Sequence, residues 1–518
     1  MTHRHYDVVV LGRSIGALAA AALLARRDFR VLSIGQGQRP ASYHFEGRTL
    51  KRRAFTFVAA ACPSFRRLLH ELAQTQTFRR RMRALDPMFT VLGDGFRLEV
   101  PPSLELFSRE VEREFPEVRQ VVEEMYATFA NTNAAADAAF DRDVSWPPGT
   151  LWERFETGRA AAMLTLSDGD VDAVLGKFPV GHPYRDVTLL PARFASDLAE
   201  ASGNRSAFSL ARLHGSWTRG LLALDGGEDE LEAFLVERIL AHGGECRLEQ
   251  RATSLVVRGR SVTGVVEDGQ ESPTSCDALV TDMPGEILAE LSRGSGITKK
   301  AEREWPRVST LAGRFVVSLV VKTAGLPAPL SEESFLLPRK TEPVAPARRL
   351  AVRVSRTRSS DAGHADETLL VAEALVPKRG ALGLLEAREA VLQTIYEQLP
   401  FLERHVVLVD SPHDGLPLYQ YEGGARREID RIHVTETSPN AEPMQWLWSV
   451  EPEGFLGIGG EPVRGPIGGT YLVGSTVLPG LGQEGQLLAA TTAARLITRK
   501  DRNREKLRRD MWTKIETG

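Results

Sequence analysis

The sequence predicts an α/β protein. A parallel-stranded, dinucleotide-type layer is assembled from the start, middle and end of the chain, and a mixed α+β region is inserted between its parts. Three observations predict this. The chain opens strand, glycine turn, helix, strand within its first 36 residues; residues 221–285 add a helix and more strands; residues 470–498 return to strand, Gly-rich turn and helix. The length of 518 residues exceeds the roughly 250–300 at which one core stops growing, so two or three domains are expected.

Val8-Val-Val-Leu11 is an unbroken apolar run closing a strand at Asp7–Leu11, the pattern of a strand buried on both faces. Gly12–Gly16 is the turn. Ala17–Arg27, rich in Ala and Leu, is the helix, and Arg30–Ile34 the next strand. Parallel pairing with a right-handed crossover follows. A short β segment at Phe89–Val100 precedes a helical pattern over Leu104–Phe129. Gly226-Gly227 introduces a helix at Asp229–His242, which Gly243-Gly244 ends. Strands are expected at Ser254–Val257, Val262–Glu267, Cys276–Val280, Arg314–Val321, Leu350–Val354 and Leu369–Val376, with a helix at Leu384–Leu399. Thr341–Ala347 and Ser355–Asp366 read as loops, and Gln486–Leu496 as the closing helix.

Composition excludes several classes. A net charge of −3 argues against nucleic-acid binding by bulk electrostatics, and 42% hydrophobic residues argue against a disordered chain. Cys62, Cys246 and Cys276 lack redox or metal spacing and read as buried free thiols in a reducing cytoplasm. No apolar run approaches the ~20 residues of a membrane span, and the N-terminus lacks a signal core. The 11 histidines lie apart without HExxH spacing, so no metal site is expected. His182 and His214 read as surface or core residues. Gly12-Arg-Ser-Ile-Gly16 spells a nucleophile elbow, but on the first strand, where such elbows do not normally lie.

Two motifs carry chemistry. At Gly12–Ala17 a tight turn precedes a helix, so a pyrophosphate would meet free N–H groups and the positive helix end. Gly12, Ser14, Gly16 and Ala17 are the candidate contacts. Position 35, where a carboxylate would grip a ribose, is Gly35, with Gln36 as the polar substitute; that loss costs about 1–3 kcal/mol. The motif reads either as a dinucleotide site or as an empty, related fold. The second motif, Gly469 to Gly485, contains Gly474-Ser475-Thr476 and Gly482-Gln483-Glu484-Gly485. Its backbone could lie close to a flat ligand, with a helix N-terminus aimed at an anionic flavin edge; otherwise it is a plain strand–turn–helix.

Together these ends resemble the flavin amine oxidase and phytoene desaturase superfamily, especially phytoene desaturase-like and retinol saturase-like proteins. Tyr471–Gly474 with Pro479–Gly482 resembles its C-terminal flavin signature, Glu484-Gly485 its acidic-Gly pair, and Gly226 through Val280 its second FAD-domain stretch. The resemblance implies a Rossmann-type FAD/NAD(P)-binding domain with an inserted substrate domain, as in p-hydroxybenzoate hydroxylase and amine oxidases. It implies FAD as cofactor, with backbone near Ser254–Val257, Val256 included, passing the adenine. The implied division is 1–85, 216–300 and 441–498 for the FAD domain, 86–215 and 301–440 for the substrate domain, and 499–518 as a basic tail.

The leading expectation is an FAD-dependent oxidoreductase moving hydride between a C–C bond of an apolar isoprenoid or polyene and the flavin. The alternatives are a cofactor-less prenyl- or lipid-binding protein on the same fold, as with Rab escort and GDP-dissociation inhibitor proteins, or an amine oxidase. Trp446 and Trp448 share one strand face, as core or as cavity lining. The basic stretches 48–83 and 499–514, the latter with Leu507, Met511 and Trp512 on one helical face, read as solvated surfaces or as peripheral docking on anionic lipid at the inner face of the membrane.

Overall fold

The computed structural model describes residues 5–166, 169–199, 206–339, 349–358, 364–380, 382–452 and 454–516. The fold is α/β, and two sheets organise it. The first has seven strands among the described residues, in the order 252–258, 261–267, 274–281, 5–11, 31–34, 245–247, with 470–472 also paired to 274–281. His5–Leu11 pairs in parallel with both Thr274–Thr281 and Val31–Ile34. Thr470–Leu472 joins in parallel at Leu279–Thr281. Three distant stretches therefore end at one sheet edge, the place where open α/β sheets bind ligands.

The first helix, Ile15–Arg26, starts two residues earlier than its Ala/Leu content predicts, because Ser14 caps it by accepting the Ala17 amide. Every residue from Gly16 to Ala25 is buried. The helix lies between the helix Gly227–Ala241 and the closing helix Gly482–Thr498. Alanines allow that close packing: a Cβ at Gly16 would overlap the Val473 carbonyl.

The second sheet has ten strands among the described residues, drawn from 89–100, 307–429 and 445–451. Its long strand Arg307–Lys322 pairs with Glu367–Pro377, Val406–Asp410 and Gln445–Glu451. The last of these places 445–451 with the inserted region, so the chain returns to the first sheet later than position 441. Leu104–Phe129 is two helices, Leu104–Glu114 and Arg119–Phe140. Pro116 lacks an N–H and restricts Phe115 to non-helical angles, which breaks the run. Ser355–Arg358 continues the strand Val352–Arg358 rather than starting a loop. The expected loop Thr341–Ala347 lies outside the described residues, as do the side chains of Trp512 and Lys514.

Much of the basic sequence is neutralised internally. Arg48, Lys51, Arg52 and Arg53 pair with Glu367, Asp229, Glu442 and Glu228 at 2.8–2.9 Å. In the tail helix, Arg504 pairs with Asp7 and Arg508 with Asp143, both at 2.9 Å. Among the described residues, no helix is long and apolar enough to cross a membrane.

Candidate functional site

A cleft of about 580 Å³ runs between the two sheets, from the N-terminus of the first helix to that of the closing helix. This volume lies within the roughly 300–1,000 Å³ of ligand pockets. Ser14, Gln36, Ser475 and Gln483, all expected from the sequence, are on its wall. Gly16, Ala17, Gly474, Thr476, Gly482, Glu484 and Gly485 stand behind that wall. Gly474 abuts the Asp282 backbone, Gly485 the Leu478 carbonyl, and Gly482, at φ 52°, the Ala195 carbonyl. Thr476 donates to Glu461 at 2.6 Å. These residues shape the wall rather than face the cleft.

Val256 is not on the cleft wall either. It is paired with Gly264 inside the hairpin, and Thr263 donates to its carbonyl at 3.3 Å. The hairpin instead touches a residue of the cleft wall, Gln36, through the Ala252 backbone. The Gln36 side chain donates to the Ala252 carbonyl at 2.8 Å and accepts the Ala252 amide at 2.9 Å.

The head of the cleft is polar. Arg13 and Ser14 donate their backbone amides to one Asp282 oxygen at 3.0 and 2.9 Å, and Gln38 donates to the other at 3.1 Å. Burial raises the Asp282 carboxyl, while these donors pull it back. Gly12, at φ 123°, has to be glycine, since a Cβ there would overlap that carboxyl group. The Arg13 guanidinium turns aside to grip Glu232 at 2.7 and 2.6 Å.

The far end combines rings and buried charge. Trp446 and Trp448 both line the cleft, and Trp448 donates to Ser475 at 2.9 Å. Arg314 pairs with buried Glu373 at 2.5 Å and donates to the Ser196 carbonyl at 2.6 Å. Burial pushes the Asp197 carboxyl up to about 6, although Arg314 and Gln486 pull it down. Gln486 Oε1 is buried without a hydrogen-bond partner among the described residues. His413 also lines the cleft, bonded to the Glu442 and Arg52 carbonyls. His214 is core, between Tyr126 and Phe129, and burial lowers it to about 4. Glu484 is gripped by Arg212 through two bonds of 2.6 Å.

A second cavity, about 1060 Å³, adjoins the first and shares Arg53, Phe55, Thr56 and Glu228 with it. Its lining is mixed: Arg48, Lys51 and Arg83 pair with Glu367, Asp229 and Glu332 beside apolar residues such as Phe57, Leu224 and Val371.

Asp282, Asp197, Arg314 and Glu373 were not among the residues expected at the site. Asp282 had a signal: it is the first acidic side chain after a buried strand, at the sheet edge where the glycine turn also lies. The others are brought together only by tertiary folding. One trio of ligand-type side chains, His5, Asp7 and Asp277, lies apart from the cleft, and its Asp7 already binds the Arg30 amide and Arg504.

No protein-family model and no curated protein sequence matches the chain. Solved structures do match its shape. An oxidoreductase from Methanosarcina mazei is 15% identical, with 94% of this chain and 99% of that one covered at a TM-score of 0.57. Putrescine oxidase bound to putrescine is 15% identical, covering 95% and 99% at 0.56. Cyclohexylamine oxidase from Brevibacterium oxydans is 14% identical, covering 97% and 99% at 0.53. The chain therefore shares its fold with these solved oxidoreductases: a parallel-stranded α/β layer with a mixed region inserted into it.

An extended dinucleotide such as FAD fits the cleft in placement. The cleft joins two helix N-termini, and Ser14, Gln36, Ser475 and Gln483 supply polar groups along it. At the first of those termini the Asp282 carboxylate takes two backbone amides, those of Arg13 and Ser14.

Proposed function

We propose that the protein is a flavin-dependent oxidoreductase of the amine-oxidase-like type acting on a polar substrate. The observation that carries this reading is the cleft joining both helix N-termini, with a larger cavity beside it that shares Arg53, Phe55, Thr56 and Glu228 in its wall. FAD, when bound, would supply the hydride acceptor. Ser14 and its neighbouring amides would hold the phosphates, and Ser475 and Gln483 the other end. Trp446 and Trp448 would wall the reacting region against water, and the Arg314–Glu373 pair and Asp197 would orient a charged substrate. The resemblance to phytoene desaturases implies a polyene substrate, which needs an apolar tunnel. The larger cavity is no such tunnel, because the ion pairs Arg48–Glu367, Lys51–Asp229 and Arg83–Glu332 interrupt its apolar wall, and this favours a molecule that carries a polar group, such as an amine.

A second reading is a flavin-free binding protein on the same fold. Asp282 and Gln36 favour it, because both occupy positions from which a dinucleotide would be held. Absorbance of the purified full chain, before and after incubation with FAD, separates the two. The flavoenzyme reading expects flavin bands that bleach when putrescine or cyclohexylamine is added without oxygen. Absence of flavin bands after reconstitution would leave the binding-protein reading.

A further inference from the structure

The Asp282 carboxylate is seated in the way an anion is seated at a helix N-terminus. Two successive backbone amides, those of Arg13 and Ser14, converge on one oxygen, and the Gln38 carboxamide holds the other. The Gln38 oxygen closes the ring by accepting the Arg13 amide at 3.0 Å. No cationic side chain takes part, since Arg13 is committed to Glu232. The carboxylate is therefore held by neutral donors alone, and it stands on the cleft wall. The neighbouring Gln36 does the same for the strand edge. A primary carboxamide offers one donor beside one acceptor, and both are spent on the buried Ala252 backbone.

We infer that Asp282 is a built-in occupant of the phosphate seat, a tethered carboxylate that a dinucleotide must displace before it binds. This rests on reading the cleft as a dinucleotide site. A tethered group competes at high effective concentration, and apparent affinity falls by the fraction of molecules whose seat is free. The anion that leaves also stays nearby, so an incoming pyrophosphate meets its negative charge.

The test is titration of the full chain with FAD and, separately, ADP, followed by calorimetry, for the natural protein, Asp282→Ala and Asp282→Asn. Thermal melting of each variant reports folding. The expected result is tighter binding of both ligands by Asp282→Ala, about tenfold or more, with Asp282→Asn between it and the natural protein. Should Asp282→Ala fail to fold, the near-isosteric Asp282→Asn decides. Equal or weaker binding by folded variants overturns the inference. The outcomes also separate it from the flavoenzyme reading. A gain for ADP with no binding of FAD supports the occupied seat and removes the flavin. Tight FAD binding, unchanged by either substitution, keeps the flavin and overturns the seat. No binding of either ligand by any form overturns both.

Discussion

The two helix N-termini that meet at the cleft each carry a carboxylate from the chain itself, but the two are held differently. At the first helix, Asp282 rests on backbone amides and a glutamine. At the closing helix, Glu484 lies in the first turn, clamped by the buried Arg212 guanidinium, which also reaches Asn133. Both satisfy the positive end of a helix dipole. Only the second is a buried, charge-assisted bidentate pair. The first carboxylate is thus exchangeable, while the second is a fixed joint between the helix Ala207–Thr218 and the closing helix.

The largest effect expected from this contrast is on stability. Arg212→Met should leave Glu484 buried beside no cation and cost about 3–5 kcal/mol, the range for breaking a buried pair. Chemical denaturation checks it. Adding Glu484→Gln to Arg212→Met should recover a large part of the loss, because the unpaired charge is then gone. If the single substitution costs under ~1 kcal/mol, the clamp is not a structural joint and the contrast with Asp282 fails.

A pH titration sharpens the comparison next, through a third carboxylate near the closing helix. Asp197 is 15% exposed, 3.8 Å from Arg314 and 3.4 Å from Gln486, with Glu373 adding negative charge nearby. Its folded value of about 6 lies above the roughly 3.9 of an unfolded aspartate. The folded state therefore holds this proton more strongly. The stabilisation is full below about pH 4 and is lost as pH rises through about 6, by roughly 2–3 kcal/mol at most. Stability measured across that window should fall with rising pH from this group, and Asp197→Asn should remove that component. An unchanged pH profile in Asp197→Asn would assign the titration elsewhere.

How far the site was legible follows from which contacts are local. The opening βαβ unit, the Gly226 helix and the closing glycine-rich turn are written in short-range pattern, so their elements were readable within a few residues. Burial on all faces made the first helix nearly patternless, yet its alanines still located it, short by the two residues that follow the Ser14 cap. The Phe115–Pro116 break was visible in the proline but masked by an apolar periodicity that continues across it. Arg212 and Glu373 were not legible as site residues, and Asp282 showed only its place after a buried strand, not what it binds. Their partners lie 272, 59 and 268 positions away in Glu484, Arg314 and Ser14, and only the folded sheets join them. Val256 was misplaced relative to the cleft for a related reason: the hairpin's register sends Ala252, not Val256, to the edge that Gln36 meets.

The smallest effect concerns the turn before the closing helix. Trp448 donates its indole N–H to Ser475 at 2.9 Å, tying the second sheet to that turn across the cleft wall. Trp448→Phe keeps an aromatic ring and removes one neutral hydrogen bond, for which about 1 kcal/mol is the ordinary net value. The fixed-joint picture of the closing helix expects only that modest loss in denaturation, because Arg212–Glu484 still holds the helix in place. Tryptophan emission should also change when a ligand enters the cleft in the natural protein, and the Trp448→Phe variant should lose part of that change. A loss well above 2 kcal/mol would mean that this turn, like the Asp282 turn, depends on single neutral contacts, and the asymmetry between the two helix ends would be smaller than their carboxylates suggest.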